Sequence, residues 1–187
     1  MEFQNRNPKI YVIAGHARNG KDSVASAILK EYEKNGKKGI NLQFSYYIKE
    51  YVKKITDWDG NDDTKPREML QQVGTELIRN QIDSTLFIRR IIDDIKVYSY
   101  FFDVITISDA RFDKELESLK QVFPEIYCIR VQRPGFEQVL GKLENHDTEK
   151  GLVKVELYDK IICNDGSLEE LGEKVKAMLE EEEHHEY

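Results

Sequence analysis

Two glycines with four residues between them, a lysine and two oxygen-bearing side chains fall together at Gly15-His16-Ala17-Arg18-Asn19-Gly20-Lys21-Asp22-Ser23. The spacing suits an anion of the phosphate type. Glycine removes Cβ bulk, so consecutive backbone N–H groups can close around phosphate oxygens. A lysine just after the second glycine reaches the outer phosphates of a nucleoside triphosphate as a mobile positive charge. The motif calls for a hydroxyl directly after the lysine. Here Asp22 stands there and Ser23 follows, so the flanking elements must carry the assignment. Magnesium takes oxygen ligands, which makes Ser23 and Asp22 the first metal candidates, with Asp109 a candidate through water. Asp22 has an alternative role as a cap on the helix that follows.

The flanks are those of a phosphate-binding loop. Lys9 to Ala14 reads as a buried strand, and Lys21 to Asn35 as a helix with Val24, Ala25, Ile28, Leu29 and Tyr32 on its apolar face. Met1 to Pro8 reads as a loose leader. Ile40 to Phe44 is a second strand, and Ser45 opens a helix carrying Ile48, Tyr51, Val52 and Ile55, with Lys49 on another face. Asp57 to Asp63 is acidic but lacks the fixed ligand positions of a calcium loop, so it reads as a solvated connection. A helix starts at Lys65-Pro66-Arg67, with proline suited to a first turn. Its stripe of Met69, Leu70, Val73, Leu77 and Ile78 is interrupted by Gly74-Thr75. Glycine inside a helix costs about 1 kcal/mol relative to alanine, so close approach of another helix or of a ligand is expected there.

Ser84 to Tyr98 is a further helix, with Phe87, Ile88, Ile91, Ile92 and Ile95 apolar. Val104 to Ile107 is a β-branched strand ending in Ser108-Asp109-Ala110-Arg111-Phe112, and a helix runs on to Val122. Glu125 to Val131 and Lys160 to Cys163 are the last strands. Ser167 and Glu170 form a capping box for a closing helix that buries Leu168, Leu171, Val175 and Leu179 and ends in a solvated Glu180 to Glu183.

Strands alternating with helices predict an α/β fold: a five-stranded parallel sheet with helices on both faces. Ligands of such sheets bind beyond the carboxyl ends of the strands. Gly15–Lys21, Ser45–Lys49, Asp109–Arg111, Arg133 and Asn164–Ser167 all follow strand ends and should share one rim. That rim gathers Arg18, Lys21, Lys49, Arg67, Arg111 and Arg133. Phosphoryl transfer needs such a set, because catalysis there is mainly positioning and charge stabilisation, and arginine grips phosphate with a planar fork. Plainer roles exist for several of these residues. Asp109 can cap the next helix, Arg111 can pair with Glu115, Arg67 and Lys49 can be surface charges, and Phe87 can be core.

Composition narrows the classes. The 187 residues are 40% hydrophobic and 34% charged, with a net charge of −7. Such an acidic balance argues against general nucleic-acid binding, which rests on excess Lys and Arg. No apolar run reaches bilayer length and no signal-peptide pattern opens the chain, so a cytoplasmic protein is expected. Cys128 and Cys163 lie in apolar runs and read as reduced core cysteines, and the four histidines show no metal-ligand spacing.

With these motifs in place, the chain resembles the phage-type deoxynucleoside monophosphate kinases, P-loop kinases related to adenylate kinase. Gly-Lys-Asp followed by a hydroxyl residue is that family's form of the loop, which gives Ser23 the metal-facing role. Arg67-Glu68-Met69-Leu70-Gln71-Gln72-Val73-Gly74-Thr75-Glu76-Leu77-Ile78 is similar to its helical signature, Ile48-Lys49-Glu50 to its monophosphate segment, and Ser108-Asp109-Ala110-Arg111 with Glu115 to another. The resemblance implies substrate contacts from Ile48, Lys49, Arg67, Gly74, Thr75, Phe87, Asp109 and Arg111. It implies ATP contacts from Gly15, Arg18, Asn19, Gly20, Lys21, Asp22, Ser23, Asn164, Gly166 and Ser167. Lys21, Arg18, Arg111 and Arg133 would act in transfer from ATP, with Mg2+, to a dNMP. Substrate-binding helices at about 45–98 and a lid at about 133–153, holding Arg133-Pro134-Gly135, His146-Asp147-Thr148-Glu149 and Gly151-Leu152, belong to the same single P-loop domain. No membrane or nucleic-acid partner is implied, and a homodimer is open. Ala17 stands where relatives often carry a basic residue, Phe87 where a tryptophan can occur, and the region between Asp57 and Pro66 is short. Phosphomevalonate kinases share the Gly-Lys-Asp loop and an Asp-x-Arg segment but lack Gly-Thr-Glu. They are the nearest enzymatic alternative; a P-loop nucleotide-binding protein without transfer activity is the other.

Overall fold

The computed structural model of the chain describes residues 3–135, 152 and 154–185. At its centre is β1 (Lys9–Ala14), whose alternate residues feed two cores. Ile10, Val12 and Ala14 enter one, while Tyr11 and Ile13 enter the other. A near-continuous apolar strand requires this, because neither face of its pleat can be left to water. β2 (Gly39–Leu42), β3 (Val104–Ala110), β4 (Tyr127–Gln132) and β5 (Lys160–Cys163) complete a parallel sheet in the order β2-β3-β1-β4-β5. The carboxyl ends run along one edge. Val12 lies opposite Ile107 and Cys128, and Leu42 opposite Ile107.

Helices cover both faces, as expected. α1 (Lys21–Lys34) and α6 (Leu168–His185) bury Val24, Ile28, Leu171, Val175 and Met178 against Tyr11, Ile13, Ile129 and Ile162. α2 (Ser45–Ile55), α4 (Leu86–Tyr98) and α5 (Asp113–Val122) bury Ile48, Val52, Ile91, Ile95, Leu116 and Leu119 against Val12, Ile105 and Ile107. Each stripe repeats at helical spacing, so one face of every helix leaves water as the sheet is covered.

Several details differ from the sequence reading. β2 ends at Leu42, and Phe44 turns into the core at 2% exposed. The helix from Arg67 continues through Gly74, as read, but not as an α-helix throughout. α3 (Arg67–Gln71) runs directly into a π-helical segment, Gln72–Ile82, that carries Gly74 and Thr75 inside it. A Cβ on Gly74 would lie 2.8 Å from Ile48 Cδ1 and 3.3 Å from that side chain's Cγ1 and Cγ2. Close approach of α2 therefore accounts for the glycine. Gly74→Ala should lower stability in urea unfolding by about 1–2 kcal/mol, the overpacking cost exceeding the gain in helix propensity. Adding Ile48→Val, which deletes the clashing Cδ1, should recover most of that loss. An unchanged midpoint in the single variant would show that α2 gives way instead.

The leader is docked from Phe3 onward. Phe3 meets Phe101 edge-on at 5.7 Å, and Arg6 pairs with Asp103 at 3.0 Å. Glu182 is not simply solvated. Its carboxylate accepts from Tyr11 Oη at 2.7 Å and Lys9 Nζ at 3.3 Å, fastening α6 to β1. Both cysteines are free, and burial pushes the Cys128 thiol up to about 12. Among the described residues no helix is long and apolar enough to cross a membrane. Of the expected lid, Arg133, Pro134, Gly135 and Leu152 are described; His146, Asp147, Thr148, Glu149 and Gly151 lie outside the described residues.

Candidate active site

The loop between β1 and α1 is set by backbone geometry that only certain residues tolerate. Gly15 has φ 152° and Gly20 φ 95°. A Cβ on Gly15 would sit 2.5 Å from Val131 O, and one on Gly20 2.5 Å from Asn164 Nδ2. Conformation and space thus both demand glycine. Arg18 adopts φ 61° without being glycine, a local strain held by its surroundings. Lys21 is 8% exposed, and its Nζ donates to Gly15 O at 2.8 Å and to His16 O at 2.7 Å. The ammonium is held across the mouth of the loop.

Asn19 and Asn164 build this loop. Asn19 Nδ2 donates to Val131 O at 3.1 Å, and Asn164 Nδ2 donates to Asn19 O at 2.9 Å. Their amides stitch the loop to the ends of β4 and β5. Ser167 has a similar structural task. Its Oγ accepts from Glu170 N at 3.2 Å while its own N–H donates to Glu170 Oε2 at 2.6 Å, the expected capping box. Leu168, expected on the buried stripe, is 74% exposed. It begins α6, and side chains of a helix lean toward its N-terminus, so Leu168 projects onto the rim while Leu171 takes the first buried place.

A cleft of about 330 Å³ opens over the loop, lined by Arg18, Gly20, Lys21, Asp22, Ser23, Arg133, Asn164, Gly166 and Leu168. Arg133 Nη1 reaches Arg18 O at 3.5 Å. Three cationic side chains, turned backbone and one apolar rim residue suit a polyphosphate attached to a flat ring. The donor set also fits magnesium. Asp22 and Ser23 are hard oxygen donors, and among the described residues there is no cluster of three or more His, Cys, Asp or Glu. Magnesium is commonly shared between one or two protein oxygens and substrate phosphates rather than caged by protein alone.

Asp22 does not cap α1, whose N-cap residue is Gly20. Its Oδ1 instead accepts from Ser108 Oγ at 2.6 Å and Gln43 Nε2 at 3.2 Å. Asp109 caps a helix, but not the next one. Its two oxygens accept from Phe44 N at 2.8 Å and Ser45 N at 2.9 Å, at the start of α2. The β3 end thereby fixes the helix that presents Lys49, whose Nζ donates to Gln43 Oε1 at 3.2 Å. Arg67 is exposed at the start of α3. The Asp62 carboxyl is held below its ordinary range by its bond to Lys65, with Lys49 and Arg67 adding to the effect.

The anticipated side-chain pairing of Arg111 with Glu115 is replaced by another. Glu115 Oε2 accepts the backbone N–H of Arg111 at 2.8 Å and of Phe112 at 3.2 Å, and Oε1 accepts Arg79 Nη2 at 2.8 Å. Burial pushes the Glu115 carboxyl above the ordinary carboxylate range, against the pull of Arg79 and the two amides. The Arg79 guanidinium lies 4.7 Å from the Phe112 ring centre and 5.2 Å from that of Phe87. Phe87, at 2% exposed, and Ile48, at 9%, are carried into the core rather than presented at the rim; Gly74 and Thr75 are buried beside α2. Phe87 lies on the stripe of α4 that faces the sheet, and Ile48 is covered by the π-helical segment. Gln43 and Arg79 were not foreseen, and Arg79 carries no local signal because its partner is 36 residues away.

A sheet of order β2-β3-β1-β4-β5 with a glycine-lysine loop after its central strand defines a P-loop kinase fold. Solved structures share it. The APS kinase of Mycobacterium tuberculosis, in complex with AMPPNP and APS, matches 92% of this chain and 98% of its own with a TM-score of 0.59 at 12% identity. The shikimate kinase of Aquifex aeolicus matches 93% and 97% with a TM-score of 0.53 at 16% identity. Within that class the chain belongs to the deoxynucleotide monophosphate kinase family, whose model matches residues 35–175. The enzyme of that name from Enterobacteria phage T4 is 29% identical over 163 residues, 86% of this chain. That from Escherichia phage RB69 is 32% identical over 120 residues, 64% of this chain. The matches span 61% and 46% of those two relatives' own lengths.

Proposed function

We propose that this protein transfers the γ-phosphoryl group of ATP to a deoxynucleoside monophosphate, yielding ADP and the deoxynucleoside diphosphate. The observation that carries the reading is Lys21, buried and held by two loop carbonyls at the mouth of a cleft that also holds Arg18 and Arg133. Family membership supports the acceptor class.

In this reading the loop amides and Lys21 bind the ATP phosphates. Gly166 and Leu168 border the purine, and Asn19, Asn164 and Ser167 keep the loop and α6 in register. Lys49, Arg67 and Arg111 bind the acceptor phosphate, with Asp109 setting α2 and Glu115 setting the backbone at Arg111. An oxygen of that phosphate attacks the γ-phosphorus as the bond to the β–γ bridging oxygen breaks, and ADP leaves with the electron pair. The acceptor is already anionic near neutral pH, so no general base is needed. Arg18 and Arg133 offset the charge that develops on the moving group. Magnesium, when bound, spreads charge between the β- and γ-phosphates, and Ser23 with Asp22 would hold it. A cytoplasmic setting suits the two free cysteines.

A coupled assay for ADP across the four common dNMPs, their ribose counterparts and phosphomevalonate tests this. ADP release dependent on at least one dNMP is expected. ATP binding without acceptor-dependent ADP would leave a nucleotide-binding protein, and response to phosphomevalonate alone would name the other kinase class.

A further inference from the structure

Between the two phosphate-facing segments runs a chain of hydrogen bonds that the reaction scheme above does not use. Lys49 Nζ donates to Gln43 Oε1 at 3.2 Å, and Gln43 Nε2 donates to Asp22 Oδ1 at 3.2 Å and to Ser108 Oγ at 3.3 Å. Ser108 Oγ donates to Asp22 Oδ1 at 2.6 Å and accepts from Asn41 Nδ2 at 2.9 Å; Asn41 Oδ1 accepts from Thr106 Oγ1 at 2.9 Å. Ser108 and Thr106, at 1% and 0% exposed, give the chain a fixed base on β3.

Resting on the kinase reading, we propose that Gln43 is a positioning residue: its carboxamide holds the Lys49 ammonium off the Asp22 carboxylate and ready for the acceptor phosphate. The chemistry at both ends of the amide supports this. A carboxylate only accepts and an ammonium only donates, while a carboxamide offers one group of each kind. Gln43 therefore fits between them in a single orientation, Nε2 toward Asp22 and Oε1 toward Lys49. Lysine is a compact charge on a flexible stem, and without the neutral spacer it can swing onto Asp22. A direct ion pair would occupy the ammonium and neutralise the charge needed by an incoming phosphate dianion. Gln43 lies just past the end of β2 and before α2, so one side chain ties the donor loop to the acceptor helix.

The test is a double-mutant cycle on the full chain, with steady-state constants for ATP and for the best dNMP. Gln43→Leu, close in size, should raise the dNMP KM about tenfold, the scale of one hydrogen bond to a charged group, and leave the ATP KM within about twofold. Gln43→Glu should do worse, since its carboxylate captures Lys49 and faces Asp22 with like charge; its thermal midpoint separates this effect from misfolding. In a Lys49→Met background, Gln43→Leu should add nothing further, because interacting groups are non-additive. The same factor in both backgrounds, or an effect confined to the ATP KM, would overturn the role of Gln43 while leaving a dNMP-active wild type as the kinase proposed. A wild type inert toward every dNMP overturns both.

Discussion

Lys21→Met should abolish phosphoryl transfer, lowering turnover by about a thousandfold or more, while the protein still folds. Preorganised donors aimed at developing charge are typically worth about a hundredfold to a thousandfold each, and here one group is asked to serve two phosphates. The loop itself holds the ammonium, bonded to Gly15 O at 2.8 Å and His16 O at 2.7 Å. Methionine copies the length of the lysine stem and fills the same volume, so the cost to the fold is the loss of one charged donor to two loop carbonyls. That loss is of order 1–3 kcal/mol, small enough for a folded variant. Circular dichroism and a urea titration establish folding, and the coupled ADP assay reads the chemistry. A folded Lys21→Met variant with near-normal turnover would remove the assignment of this cleft to ATP.

The second large effect concerns stability. Arg79→Leu should cost about 3–5 kcal/mol, because it strips the counter-charge from a buried carboxylate and leaves it only the Arg111 and Phe112 N–H groups. Glu115 is 3% exposed, and Arg79 is clasped between Phe87 and Phe112. Removing both charges, as Arg79→Leu with Glu115→Gln, should recover much of the loss, since the neutral carboxamide keeps an oxygen for the Arg111 and Phe112 N–H groups and no unpaired charge stays buried. The pH dependence discriminates further. Burial already raises the Glu115 carboxyl, and without Arg79 it rises more. A folded-state pKa above the unfolded one means that the native chain binds the extra proton, so native stability falls as pH rises through that window. The deficit of Arg79→Leu relative to wild type should therefore shrink as pH is lowered toward the unfolded carboxyl value. A deficit independent of pH, or one below 1 kcal/mol on the stated scale of such breaks, would show that Glu115 finds another partner.

The same ion pair illustrates how the site was legible only in part. Glu115 was visible as a residue four places after Arg111, which suggested a local pair. The fold gives the carboxylate to the backbone N–H groups of Arg111 and Phe112 and to Arg79. Glu115 thus sets the path of the chain leading into Arg111. Asp109 behaves alike: a substrate contact by resemblance, with capping of the next helix as its plainer role, it caps α2, some 65 residues earlier. Asp109 stood as expected at a strand end and Glu115 in the first turn of the helix that follows, and in both cases the partner differed.

What the sequence by itself determined is everything carried by short-range patterning. The strand-loop-helix around Gly15 to Ser23, the five strand runs, the helical stripes and the Ser167–Glu170 cap depend on residues a few places apart, so propensity and periodicity suffice to read them. The parallel sheet followed, because alternating strands and helices leave few other ways to bury two faces. Tertiary structure alone decided which polar groups meet. Asp22 meets Ser108 across 86 positions, Asn164 meets Asn19 across 145, and Leu168 stays at the rim instead of the core. A polar side chain offers the same donors and acceptors to any partner within reach. Only the assembled sheet, by bringing five strand ends to one edge, selects among them.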